Sequence, residues 1–162
     1  MRICYTLTAY PPAIGGAQLH FHALACALAP HHTVHAIAHW RKNRTDWLLG
    51  TTVLAPWNPR PYQIDGIPVS PLGLSLADRL LLAPLAAIYY PLKEFALPGI
   101  ARILERRLAP LCGRPDIIHN GRIGREGISY ASWRLARELD VPFVFTPVHH
   151  PRWVGWFYRA YI

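Results

Sequence analysis

Two stretches, one near each end of the chain, repeat a single order of patterns, and that order restricts the fold more than any other feature. Arg2 to Thr8 is a short apolar run with β-branched and aromatic members and no helical period, the pattern of a buried strand. It ends at Tyr10-Pro11-Pro12. After Gly15-Gly16, the residues Phe21, Leu24, Ala25 and Leu28 fall at i, i+3, i+4 and i+7 on one face of a helix that Pro30 stops. Thr33 to Trp40 reads as the next strand. Further on, Asp116-Ile117-Ile118-His119 predicts a strand and Gly121 to Arg125 a polar loop. Ile128, Ala131, Leu135 and Leu139 form a helical stripe, and Val141 to Phe145 a last strand. Strand, turn, helix, strand is the βαβ unit, so the pattern predicts an α/β fold with an open, mainly parallel sheet. Ligands of such sheets sit beyond the carboxyl ends of the strands. Three loops therefore carry the functional expectation: Ala9 to Gly16, Asn120 to Arg125, and Thr146 to Trp153.

The middle is less regular. Trp47 to Pro61 predicts a surface excursion with one short strand at Thr51 to Leu54. Tyr62-Gln63-Ile64, Asp65-Gly66 and Ile67-Pro68-Val69 predict a small hairpin, since Asp-Gly tolerates the positive φ of a tight turn. Leu74 to Phe95 predicts a helix broken at Pro84 and Pro91, where each proline removes a donor. From Ile100, the residues Ile100, Ile103, Leu104, Leu108 and Leu111 share one helical face, and Arg102, Glu105 and Arg106 take the other.

Composition narrows the class. With 162 residues, 52% hydrophobic and 16% charged, the chain is too apolar for a disordered tail and fits one packed domain. Seventeen Lys and Arg against nine Asp and Glu give +8, which favours an anionic partner. Cys4, Cys26 and Cys112 are distant in sequence and form no CxxC pair, so they support neither a disulfide framework nor a thiolate zinc site. No secretory signal is read at the start, and the uncharged run Leu80 to Leu92, interrupted by Pro84, is shorter than the roughly 20 residues a membrane span takes. The expected location is cytoplasmic. For Leu76 to Phe95, burial against the sheet is the first reading and a membrane- or partner-facing helix the second. The arginines are scattered and no nucleic-acid motif accompanies them, so no nucleic-acid partner is expected.

Few residues carry a chemical signature. Gly15-Gly16, between strand and helix, lets a phosphate approach free backbone N–H groups, or else simply joins the two elements. Neither a Walker A loop nor the three-glycine dinucleotide fingerprint is present. His20 and His22 differ in helical direction, and His35 and His39 are poorly spaced on one strand, so no metal is expected and most histidines read as surface or partly buried rings. His149 and His150 follow the last strand on its carboxyl side and His119 ends its neighbour, positions from which a ring orients a hydroxyl or a phosphate. Arg122, Arg125 and Arg152 stand in the same loops. No Ser-His-Asp set or carboxylate pair is evident.

Taken in order, several motifs resemble the amino-terminal part of family 4 glycosyltransferases. Met1-Arg2-Ile3 runs to Tyr10-Pro11-Pro12, Ile14-Gly15-Gly16-Ala17 and Leu24-Ala25-Cys26-Ala27-Leu28. The hairpin Tyr62 to Leu72 follows, then Pro115-Asp116-Ile117-Ile118-His119, then Val141-Pro142-Phe143-Val144-Phe145-Thr146 with His149 beyond. Each motif is short; the ordered set covers nearly the whole chain. The resemblance implies a GT-B architecture of two Rossmann-like domains facing a cleft. Residues 1–150 would be the acceptor-side domain, with helices on both faces of its sheet, and 151–162 the start of an inter-domain helix or linker. It also implies that Gly15 and Gly16 lie beside the donor diphosphate and acceptor, and that His149 lies near the reacting sugar. Thr146 is followed by Pro147 and Val148, one residue more than the family pattern, so the assignment stands between His149 and His150. Gln18, His119, Arg122 and His150 complete the acceptor-side set.

The expected activity is retaining transfer of a sugar from a nucleotide-sugar donor to a glycan or lipid-linked acceptor. The nucleotide-sugar is a substrate, so no cofactor is called for. In the family a second domain supplies most of the donor site, so this chain is expected to be inactive without a carboxyl-terminal GT-B domain. A peripheral contact with the inner face of a membrane fits the apolar middle. The alternatives are a non-catalytic binding or partner domain and part of a GT-B sugar-nucleotide epimerase.

Overall fold

The computed structural model describes residues 1–40, 57, 59–89, 91–122 and 126–148. Strand β1 (Arg2–Ala9) leads to helix α1 (Gly16–Leu28) and strand β2 (Thr33–Trp40). The hairpin β3 (Tyr62–Ile64) and β4 (Ile67–Pro71) follows, then helices α2 (Leu76–Ile88) and α3 (Lys93–Cys112). Strand β5 (Ile117–Arg122), helix α4 (Glu126–Glu138) and strand β6 (Phe143–Pro147) complete the order. The six strands form one sheet in the order β3-β4-β2-β1-β5-β6, parallel throughout except between β3 and β4. After β1 the chain moves outward on one side to β2, and later crosses to β5 on the other. The order therefore switches direction at β1, the position where sheets of this kind hold ligands at their carboxyl ends.

Alternation along β1 and β2 divides the core in two. Ile3, Tyr5 and Leu7, with Val34, Ala36 and Ala38, pack with Phe21 and Ala25 of α1. Cys4 and Ile37 face the other way, into a cluster built from α2, α3 and α4 through Leu82, Ala86, Ile100, Leu104, Leu108, Ile128, Ala131 and Leu135. Helices thus cover both faces, which is why the central strands are apolar on both. Phe21 is fully buried, with its ring 5.8 Å from that of Tyr5 and 5.4 Å from that of His119; such burial contributes roughly 2–3 kcal/mol.

The hairpin turns at Asp65 (φ 46°) and Gly66 (φ 80°), as the Asp-Gly pair predicts. The short strand expected at Thr51 to Leu54 lies outside the described residues. Elsewhere the structure departs from the sequence reading. Helix α2 runs through Pro84 to Ile88, and α3, beginning at Lys93 after Pro91, contains Pro98 and Pro110. The carbonyls these prolines leave without an N–H belong to Leu80, Glu94 and Arg106, residues on the exposed sides of their helices. Glu105, expected on the outer face of α3, is buried and accepts from Arg134 Nε of α4 at 2.7 Å. The α2 region buries one stripe only: Leu76, Leu80, Leu81 and Ile88, with Leu92 and Phe95 beyond, are exposed. The last strand begins at Phe143 rather than Val141, because α4 closes through Asp140 (φ 52°) and the Val141 N–H is taken by the Ala136 carbonyl. No helix among the described residues is long and apolar enough to cross a membrane.

Candidate functional site

At the carboxyl ends of β1, β2 and β4 the surface folds into a pocket of about 290 Å³. Its walls are Pro12 from the loop after β1, Ala38 and Trp40 from β2, Pro71 from β4, and Arg60, Pro61 and Tyr62 from the approach to the hairpin. Two aromatic side chains and three prolines present C–H and π surfaces, and Arg60 adds a guanidinium with directed donors.

The pocket wall is tied in place by long-range hydrogen bonds. Tyr62 O–H donates to the Pro11 carbonyl at 2.6 Å. Behind it, Tyr10 Oη lies 2.9 Å from His22 Nδ1, and His22 Nε2 lies 2.8 Å from Asp65 Oδ2. A carboxylate only accepts, so Nε2–H donates to Asp65 and Nδ1 accepts from the tyrosine. This chain joins the loop after β1, helix α1 and the hairpin turn. Burial, with nearby charge, raises the Tyr10 phenol well above its usual range, so it remains a donor.

Of the residues singled out in sequence, Gly15 and Gly16 stand at the start of α1, with Gly15 extended (φ −177°). The Gly15 carbonyl accepts from Leu19 N–H at 3.0 Å. A Cβ on Gly15 would meet the amide of Gln18, which is buried one turn in, whereas a Cβ on Gly16 would meet nothing. Gly16 therefore leaves backbone open to whatever lies beyond the strand ends.

His119 does not end its strand, because β5 continues to Arg122. Asn120 belongs to the sheet, its side-chain N–H donating to Thr6 O at 2.8 Å and to Thr6 Oγ1 at 3.0 Å. Gly121 fits under Phe21 and Leu7, whose side chains a Cβ would strike. The loop expected from Asn120 to Arg125 thus begins later than the sequence suggests. The His119 ring lies 5.0 Å from that of Tyr5 and its Nε2 lies 2.8 Å from Thr146 Oγ1. Burial and then the neighbouring His20 hold its pKa below the ordinary value. Arg122 is the last residue of β5. His149, His150, Arg125 and Arg152 lie outside the described residues, as do 151–162.

Sequence reasoning missed a second feature. Thr8 and His39 fall between the paired residues Leu7–Ala38 and Ala9–Trp40, side by side on the α2–α4 face of the sheet. Both are buried, and among the described residues Thr8 Oγ1 and both His39 ring nitrogens find no hydrogen-bond partner, nor does Asn120 Oδ1 on β5. Such groups cost roughly 1–3 kcal/mol each when left unpaired. His39, read as a surface or partly buried ring, is fully enclosed, and burial lowers its pKa to about 4. Among the described residues no three His, Cys, Asp or Glu side chains gather to hold a metal.

No family model matches the chain, and no curated protein matches it. Among solved structures, the alpha,alpha-trehalose 6-phosphate synthase of Burkholderia multivorans is similar over 93% of this chain and 34% of that one, with 15% identity and a TM-score of 0.47. This chain spans about a third of that protein's length, and at that identity and score the likeness decides nothing about its chemistry.

Proposed function

We propose that this chain is the acceptor-side, amino-terminal domain of a retaining glycosyltransferase of the family 4 type, acting with a carboxyl-terminal GT-B domain on a nucleotide-sugar donor and a glycan or lipid-linked acceptor. The observation that carries the reading is the pocket of Trp40, Tyr62, Arg60 and prolines at the carboxyl ends of the strands. Aromatic and proline faces suit the C–H face of a sugar ring, and a guanidinium suits its hydroxyls or an anionic substituent. The open backbone at Gly16, where α1 begins, suits the diphosphate side of the donor. The ordered motifs of the sequence supply the family. His149, or His150, would approach the reacting sugar. The exposed Leu80, Leu81, Ile88 and Phe95 would form the peripheral membrane contact if the acceptor is lipid-linked.

Calorimetric titration of the chain with UDP, GDP, UDP-glucose, GDP-mannose and a panel of oligosaccharides tests this, alone and with a supplied GT-B carboxyl-terminal domain. Saccharide binding should weaken about tenfold in Arg60→Ala, a loss of about 1.4 kcal/mol. Donor binding and transfer should occur only in the combined sample and fall at least as far in Gly16→Val. A folded chain that binds no saccharide and supports no transfer would move the reading to a non-catalytic partner domain.

A further inference from the structure

At the opposite, amino-terminal end of the sheet the fold brings together two side chains separated by 108 residues. Cys4 Sγ and Cys112 Sγ lie 2.8 Å apart, and both are free thiols. Cys4 is buried on β1 and faces α3, whose final residue is the half-buried Cys112. The two line an open cleft of about 250 Å³ together with Arg2, Thr33, His35 and Arg114. Cys26 packs in the other half of the core, with α1, beside His22.

We propose that Cys4 and Cys112 form a modification site, a dithiol that a low-molecular-weight disulfide oxidises to an intramolecular disulfide. Cys112, the more accessible sulfur, attacks as thiolate on one sulfur of the reagent. The reagent's S–S bond breaks, a mixed disulfide forms on Cys112, and one reagent thiolate leaves and takes up a proton. Cys4 then gives its proton to solvent and attacks Cys112 Sγ. The Cys4–Cys112 bond forms, the bond to the reagent breaks, and the second reagent thiolate leaves and is protonated. Two protein thiols lose two electrons in all, and one reagent disulfide becomes two thiols. A protein disulfide is about 2.05 Å long, so the sulfurs need close by only about 0.8 Å. The hydrogen bond to Cys112, then burial, then the charge of Cys112 push the Cys4 thiol well above its ordinary range. In the mixed disulfide the hydrogen bond and charge of Cys112 are gone, burial alone still raises the Cys4 thiol, and the second step quickens as pH rises. The bond would fasten the end of α3 to β1, closing a loop of more than a hundred residues.

The test uses the purified chain and glutathione disulfide. After acid quenching and alkylation, peptide mass spectrometry should find Cys4 linked to Cys112 and Cys26 alkylated. The melting temperature should rise by about 5–15 °C and return with dithiothreitol. In Cys4→Ala the reaction should stop at the glutathione adduct of Cys112. In Cys112→Ser, a change at a half-exposed position that keeps the fold, Cys4 should stay unmodified. A stable adduct on Cys112 of the unaltered chain, a disulfide involving Cys26, or two alkylated thiols in a chain that circular dichroism finds folded would each overturn the proposal.

Discussion

His39 is enclosed in β2 with neither ring nitrogen hydrogen-bonded to a described residue, and burial lowers its pKa to about 4. In the unfolded chain a histidine takes up its proton near 6.5. Between about pH 6.5 and 4 the unfolded state therefore binds one more proton, and stability falls with pH by about 3 kcal/mol before levelling off. Urea unfolding at about pH 7 and about pH 4.5 checks this: His39→Leu should lose most of the difference. A smaller slope remains from His35 and His119, whose pKa values burial also lowers. Equal slopes in the two chains would show that the His39 ring is not the source. In sequence, His35 and His39 look alike, two residues on one face of a strand. His35 finds Ser70 Oγ at 2.9 Å and His39 finds no hydrogen-bond partner among the described residues, a difference that comes from what packs over each.

Helix α2 shows the same division at the level of an element. Its start is local: Ser75 Oγ accepts from Asp78 N–H at 3.2 Å, and Asp78 Oδ2 accepts from Ser75 N–H at 2.8 Å, the two halves of a capping box. Arg107 of α3 adds a hydrogen bond to Ser75 Oγ at 2.8 Å and an ion pair to Asp78 at 2.5 Å. Ser75→Ala should cost about 1–2 kcal/mol, because it strips the cap and leaves Arg107 a poorer partner. Arg107→Ala should cost no more than about 1 kcal/mol, since Arg107 is 40% exposed and water screens the pair. Equilibrium unfolding of the two variants checks the order. The helix was legible in its apolar run. Its continuation past Pro84 was not, because whether a helix survives an internal proline depends on the packing that holds its two halves, here Leu82 and Ala86 in the core.

Across the whole molecule, the candidate site depends on contacts that no short segment contains. The chain Tyr10–His22–Asp65 spans a loop, a helix and a hairpin, and its two ends differ in burial. Tyr10 is 1% exposed, whereas the Asp65 side chain is 73% exposed. His22→Ala should therefore cost about 1–3 kcal/mol by leaving the buried phenol unpaired, while Asp65→Ala should cost less than about 1 kcal/mol. Urea unfolding separates them, and saccharide binding should weaken several-fold in His22→Ala if this chain holds the pocket wall. Residue order alone pointed to the α/β class, the parallel strands on either side of α1, the Asp-Gly hairpin and the glycine-opened start of α1. Each follows from a period or a turn residue within a dozen positions. Packing across the sheet settled that β5 runs past His119, that Glu105 is inside, that Cys4 meets Cys112, and that Trp40, Arg60 and Tyr62 share one pocket. Those depend on which faces meet after the chain crosses the sheet, and local pattern does not encode that packing.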